Sequence, residues 1–489
     1  MDGAFRCGIV SSPVLRESCR ELRQDMAKVL FSGNGSMTVG FHRAALAIAC
    51  ALTLFSGAAS AAPKRLSLNE AVAKARQNPL VRAASEQRRA AEARLAEARG
   101  ARFPRAEIVS FLAPSPDIQC LNADCTRTDP RDPRFAADGL FGGVRVGLIQ
   151  PLYTFGKIDA AIDAAGSAAH ANEALAAGVV ADLSLETTRS YYGVGLAREL
   201  VAMLEDGQQQ LSKGKQTLVE RLERGEPDVT IQDRLRLDTF QAEVALRLSE
   251  AREGEAMALL ALRTLVGDAE ADTDGAPLEA IEFSLGAPKG YVARAQSGRH
   301  ELRAAREGVA ALEGASRLEQ AKWFPDFLLV GGFNVARAQG VDQTPSAFAN
   351  DPFNTTTGEV ALVMKWSVDP GGQLARVERA DSELGRARAL LEAANRAGGA
   401  AVLQAHTHAV EARARLDAAR EGEKNARGWI ASVIQADAIG TTSARDLADA
   451  YLAYFTLHGR LLQSTYDWNL AVMTLQRAIG QSPSPKARR

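Results

Sequence analysis

The chain has 489 residues, 46% hydrophobic, 24% charged and 6% aromatic, with a formal net charge of −1. A near-neutral chain gives a nucleic-acid partner no electrostatic support. Long leucine- and alanine-rich segments suit extended helices better than one thick mixed core.

Residues 1–36 show no clear pattern. Met37 opens a short segment with His42 and Arg43, an apolar run follows from Ala44 to Phe55, and Ala59-Ser60-Ala61 ends it. A basic start, an apolar middle and an A-x-A site read as a secretory signal peptide, too short for a stop-transfer helix. Translation is expected to start at Met37 and cleavage to follow Ala61, leaving 428 residues (489 − 61). Of the five cysteines, Cys120 and Cys125 then remain, close together in a polar loop. In an exported protein such a pair reads as a small disulfide, and no further ligands stand nearby to favour a metal.

The next segment opens with Leu66-Ser67-Leu68-Asn69-Glu70, where Ser67 and Glu70 form a capping-box pattern. A helix is expected to about Arg102, kinked at Asn78-Pro79, and Phe103-Pro104 stops it. A strand over about Ala106–Leu112 precedes a loop rich in Pro, Asp and Cys. From Gly143, Val144, Val146 and Leu148 alternate with Gly143, Arg145 and Gly147, the period of a strand. This strand is expected to break at Pro151 and Gly156, and an alanine-rich helical pattern runs from Lys157 to about Arg224. Gly225 to Asp228 is a turn. A helix returns from about Val229 to Val266, and Gly267–Pro288 reads as an acidic linker.

The pattern then repeats. A helix from about Tyr291 ends at Trp323-Phe324-Pro325, a strand covers Phe327–Val335, and a polar loop holds Pro345 and Pro352. From Glu359, Val360, Leu362, Met364 and Trp366 alternate with Glu359, Ala361, Val363 and Lys365. Pro370-Gly371-Gly372 makes the break, a long helix reaches about Asp437, Ile439 to Thr442 turn, and a last helix ends near Gly480. The chain is thus a tandem duplication with spacings of about 215 to 221 residues, as Gly156 to Gly372 and Phe103 to Phe324 show. The parts are residues 1–61, extension and signal peptide; 62–288, first repeat with linker; 289–481, second repeat; and 482–489, a polar tail.

A helix rises about 1.5 Å per residue, so the stretch from Lys157 to Arg224 reaches on the order of 100 Å. The returning helix is about half as long, and the segment before Phe103 supplies the missing length. Each long helix can therefore be flanked by two half-length helices stacked end to end. One end of the four strands carries Phe103, Tyr153, Phe155, Trp323, Phe324 and Trp366. These are either core aromatics at helix–strand corners or the interfacial girdle of a membrane β-barrel. Four strands cannot close such a barrel, and open edges are not tolerated in lipid, so several chains must share one. Three chains give twelve strands.

At this point the chain resembles the TolC family of outer-membrane efflux and export ducts. Leu66 to Pro79, the Pro151-Leu152-Tyr153 to Gly156-Lys157 junction, the Gly371-Gly372 junction and the tandem repeat carry the likeness, which covers about 62–481. The resemblance implies a mainly α fold with membrane β: a homotrimer with a twelve-stranded barrel in the outer membrane and a long α-helical barrel in the periplasm. It implies a passive conduit, not an enzyme, without cofactor, serving an inner-membrane transporter through a periplasmic adaptor. It also places Asp446 and Asp449 at the periplasmic entrance, as rings of carboxylates in a trimer. The plainer reading has Ser443 capping the helix and Asp446 as its first-turn partner; both can hold at once. Arg145, Lys365 and Glu359 belong to the polar side of the junction strands and are expected in the barrel lumen. His406 and His408, two apart, point to different sides of a helix and make a poor metal site. A periplasmic coiled-coil scaffold or adhesin without a pore is the alternative, and it has no use for alternating, aromatic-ended strands.

Overall fold

The computed structural model describes residues 64–115, 139–226, 229–343, 351, 353–438 and 444–482. The signal segment, the loop with Cys120 and Cys125, the turn at Gly440 and residues 483–489 lie outside them. The elements of the first repeat are β1 (Lys64–Leu66), α1 (Leu68–Ala75), α2 (Pro79–Gly100), β2 (Arg105–Ser115), β3 (Gly139–Tyr153), α3 (Lys157–Glu223), α4 (Ile231–Val266) and β4 (Ala271–Thr273). Those of the second are α5 (Pro288–Gly298), α6 (His300–Ala321), β5 (Asp326–Ala338), β6 (Thr355–Lys365), α7 (Pro370–Ala438) and α8 (Ala444–Ala478). None of the described helices is long and apolar enough to cross a membrane.

Four expectations change in detail, each for a local reason. The helix expected over 68–102 is two helices: Asn78 accepts the Leu80 N–H at 3.0 Å and caps α2 with Pro79 at its first position. The helix expected from Tyr291 is likewise α5 and α6, divided at the extended residue Arg299. Strand β3 passes through Pro151 instead of breaking there, and its register against β5 shifts between Pro151 and Tyr153. A bulge is where a strand tolerates proline. The linker after Val266 is not structureless. Its residues Ala271–Thr273 pair in parallel with Lys64–Leu66, and further along it is clamped to α8. There the wholly buried Trp468 indole donates to the Ile281 carbonyl at 2.8 Å, and the Asn469 amide accepts from Ile281 N–H and donates to the Glu279 carbonyl, both at 2.8 Å.

The half-length helices do stack end to end. Where α8 ends and α6 begins, the Arg477 guanidinium reaches Asp182 on α3 at 2.7 Å and also pairs with Glu301 in the first turn of α6. Where α4 ends and α1 gives way to α2, Lys74 meets Asp268 at 2.7 Å and the Asn78 amide donates to the Leu265 carbonyl at 3.0 Å. The largest cores sit at these two waists. One gathers Tyr291, Val402, Leu416, Trp468, Val472 and Leu475; the other gathers Leu66, Tyr191, Val194, Leu262 and Val266. A smaller core of Ile430, Val433 and Ala450 joins α7 to α8 near the hairpin tip.

The strands form one antiparallel sheet in the order β2-β3-β5-β6. β2 and β6 are its unpaired edges.

Candidate functional site

The register of the sheet sorts its side chains onto two faces, because residues directly opposite one another in an antiparallel pair point the same way. One face carries Leu112 and Ile108 on β2, Val144, Val146 and Leu148 on β3, Phe333 and Leu329 on β5, and Val360, Leu362 and Met364 on β6. No described residue covers it: Val360 is 78% exposed, Leu112 72% and Ile108 70%. The other face reads across as Glu107, Gly147, Gly332 and Glu359 in one row, and Val109, Arg145, Asn334 and Thr357 in the next. Lys365 is on this face too, opposite Asp326. Arg145, Glu359 and Lys365, drawn from two separate strands of the sequence, thus share the polar face.

Glu107 and Asn334 join them and were not singled out from the sequence. The alternation of Arg105 and Glu107 against Ala106 and Ile108 carried the signal for Glu107. The Glu359 side chain lies across Gly332, where a Cβ would collide with its carboxylate. Toward the loop end the same face turns aromatic. Phe111 stacks edge-on against Phe141 at 4.9 Å, Phe141 against Phe353 at 5.3 Å, and Phe111 covers Gly143 so closely that no side chain fits there.

The six aromatic residues expected at one end are all at the end that feeds the long helices. Tyr153 meets Phe155 edge-on at 4.6 Å, Phe155 stacks on Phe324 at 5.1 Å, and the Trp366 indole donates to the Trp323 carbonyl at 3.1 Å. Phe103, Tyr153, Phe324 and Trp366 remain at least half exposed, which a buried corner core would not leave. The strand-to-helix turn is made by Phe155 and Gly156, both left-handed at φ 50° and 83°. Glycine adopts this freely, whereas the phenylalanine costs about 1–2 kcal/mol and is held by its stack on Phe324. Lys157 fixes the joint: its ammonium lies 2.7 Å from Asp326 and donates to the Phe324 carbonyl at 2.8 Å.

At the other end of the molecule Asp446 and Asp449 begin α8 and are exposed. Asp446 stands in the first turn, where the helix dipole favours an anion. Ser443, Cys120 and Cys125 lie outside the described residues. The paired histidines do not converge: His406 Nε2 is 3.0 Å from the Gly286 carbonyl, and no cluster of metal-ligating side chains occurs among the described residues.

Residues 292–481 match the family model described as outer membrane efflux protein. No curated protein sequence matches the chain. Among solved structures, the outer-membrane channel OprN is 20% identical with a TM-score of 0.68, over 84% of this chain and 89% of that one. The outer membrane protein VceC of Vibrio cholerae is 17% identical with a TM-score of 0.67, over 85% and 97%. The open-state MtrE channel of Neisseria gonorrhoeae is 16% identical with a TM-score of 0.67, over 86% and 91%. At such identities the likeness establishes the fold. Residues 292–481 are similar to the outer membrane efflux protein family, and the chain as a whole has the fold of these outer-membrane channels.

Proposed function

We propose that this chain is one third of an outer-membrane efflux duct, a passive conduit that does no chemistry of its own. The observation that carries the reading is the sheet: one bare apolar face, one polar face and two open edges, joined to helices on the order of 100 Å long. A bare apolar face suits lipid, and lipid forbids open edges. Closure by three copies of four strands satisfies both demands with a twelve-stranded barrel. A coiled-coil scaffold would have no use for the apolar face.

In this reading Arg145, Glu107, Glu359 and Lys365 line the lumen, the six aromatics form the girdle at the periplasmic interface, and the helices continue the tube through the periplasm. Asp446 and Asp449 ring the far entrance, where a periplasmic adaptor and an inner-membrane transporter deliver cargo. Conductance of the purified protein in a planar bilayer tests the conduit: stepwise ion currents from a trimer are expected. A folded monomer in mild detergent that conducts nothing refutes it.

A further inference from the structure

In a membrane barrel the aromatic side chains belong to the outward face at the two rims, and the interior is polar. Phe111 and Phe141 break that rule. Phe111 stands opposite Gly143 and Phe141 opposite Ala113, in line with Glu107 and Arg145, so both rings are on the polar face. They meet edge-on at 4.9 Å, and Phe353 extends the stack from Phe141 at 5.3 Å. Phe353 is itself held by a turn in which the Asp351 carboxylate accepts the Phe353 and Asn354 N–H groups at 2.9 and 3.0 Å. Gly143 makes the room: the Phe111 ring lies on its backbone, where an added Cβ would stand 2.9 Å from the ring's Cε1. Phe111 is still 39% exposed.

Arg145 follows Gly143 by two residues on β3. It is exposed and has no hydrogen bond or ion pair among the described residues. Phe111 is its diagonal neighbour across the β2–β3 pair, about 7–8 Å away and within reach of long side chains. Glu107 is the other diagonal neighbour, and Glu359 lies in the same row as Glu107, beyond Gly332. Carboxylates therefore stand on the helix side of Arg145, and phenyl rings on its loop side.

We propose that Arg145, Phe111 and Phe141 form a site in the lumen for an organic anion with an aromatic body. The guanidinium takes the anionic group and the rings take the body. The inference rests on the duct reading, which supplies the lumen and makes the ligand a passing cargo. The charges select the ligand. A guanidinium without an acid partner is free to pair with a carboxylate or sulfonate, and the rings offer aromatic contact. An anion seated at Arg145 keeps clear of Glu107 and Glu359 by extending toward the loop end, over the rings. A cation is drawn to the carboxylates and leaves the rings bare. Twelve strands about 4.8 Å apart and tilted by about 40° enclose a barrel roughly 24 Å across between backbones. Inward side chains narrow it further, so a small organic molecule travels within reach of the wall. The site lies within β2 and β3 of one chain, so three copies of the chain hold three sites. Its contacts are few, which suits a cargo that must also leave.

The test is block of single-channel currents of the purified protein in a planar bilayer by three probes. They are 2-naphthalenesulfonate, methanesulfonate (the anion without the rings) and 2-naphthylmethylammonium (the rings with the opposite charge). Naphthalenesulfonate is expected to block at a concentration at least about fivefold lower than either of the others. Arg145→Gln, and Phe111→Leu combined with Phe141→Leu, should each raise that concentration at least about fivefold. Arg145→Lys should recover part of the loss, because it keeps the charge without the planar fork. No block by naphthalenesulfonate, equal block by the ammonium probe, or unchanged block in either variant overturns the site and leaves the duct reading standing. The three probes on wild type decide the matter even if a variant fails to assemble. A protein that forms no conducting pore overturns both.

Discussion

Arg477 ties the end of α8 to the start of α6, and Arg477→Met tests its contribution. Its side chain is only 9% exposed and holds two carboxylates from two other helices, Asp182 on α3 and Glu301 on α6. Burial alone would raise the Glu301 carboxyl, but the Arg477 hydrogen bond, a backbone hydrogen bond at Glu301 itself and the charges of Arg477 and Arg299 outweigh burial and bring it down to about 2 from an ordinary 4.5. At about 1.4 kcal/mol per pH unit that interval sets a ceiling of roughly 3.4 kcal/mol. The Glu301 side chain is 44% exposed, so screening by water cuts its share to about 1–2 kcal/mol. Asp182, 63% exposed, adds at most about 1 kcal/mol.

Arg477→Met should therefore destabilise the protein by about 2–3 kcal/mol, in the range for hydrogen bonds to charged groups. Arg477→Lys should lose less, because it keeps the charge and gives up the second contact. The sign of the pH dependence follows from the lowered folded pKa. The contribution of Glu301 is complete above about 4.5 and is lost as pH falls from there toward 2. Thermal unfolding of the detergent-solubilised protein, followed by circular dichroism from pH 6 down to the limit of solubility, should show wild type losing stability on that descent. Arg477→Met should start lower and fall less steeply. A variant that melts with wild type and keeps the same acid slope would show that Arg477 does not hold this joint.

Three further expectations follow from the two sheet faces, the tips and the waist. Phe333 and Asn334 are neighbours on opposite faces of β5, so Phe333→Arg should cost about 2–4 kcal/mol in lipid while Asn334→Arg leaves stability nearly unchanged and shifts ion selectivity; unfolding in bilayers and bilayer recordings read the two, and equal costs would reject the assignment of faces. Asp446→Asn with Asp449→Asn should lower cation selectivity and weaken block by multivalent cations with folding intact, and unchanged recordings with a slightly lower melting temperature would reduce these residues to helix-end partners. Asn469→Ala strips the buried Ile281 N–H and the Glu279 carbonyl of their partner, a loss of about 1–3 kcal/mol, read by proteolysis as faster cleavage within 274–287; unchanged cleavage would mean the linker is held elsewhere.

Periodicity made the long helices and the junction strands legible, because both rest on patterns that repeat many times over. Arg145, Glu359 and Lys365, which share the polar face, could be grouped from alternation alone, since a strand's period of two assigns faces without knowing its partners. What alternation cannot supply is the partner strand: Glu107 had an alternation of its own to mark its face, but Asn334 joined the polar face only once the order β2-β3-β5-β6 and its register were in hand. Breaks were harder to read than runs. Asn78 ends one helix and starts another through a single side-chain acceptor, and Arg299 divides α5 from α6 with no such cap; neither leaves a periodic trace. The clamp of Trp468 and Asn469 on the linker escaped for the same reason, since each is one residue on a helix meeting backbone groups some 190 positions away.

The duplication is different in kind, because it carries long-range information in the one-dimensional string. Once two displacements are known, contacts in the first repeat foretell contacts in the second. β3 has a partner strand on both sides and β6 on one, and the two differ in length although their sequences correspond. The four-stranded sheet of one chain thus has two open edges. Lipid tolerates that only when the edges meet other copies. Folding and assembly are therefore coupled at β6: residues 366–369 should gain amide protection only in the trimer, and protection of these amides in a monomer would break the link between the repeat and the assembly.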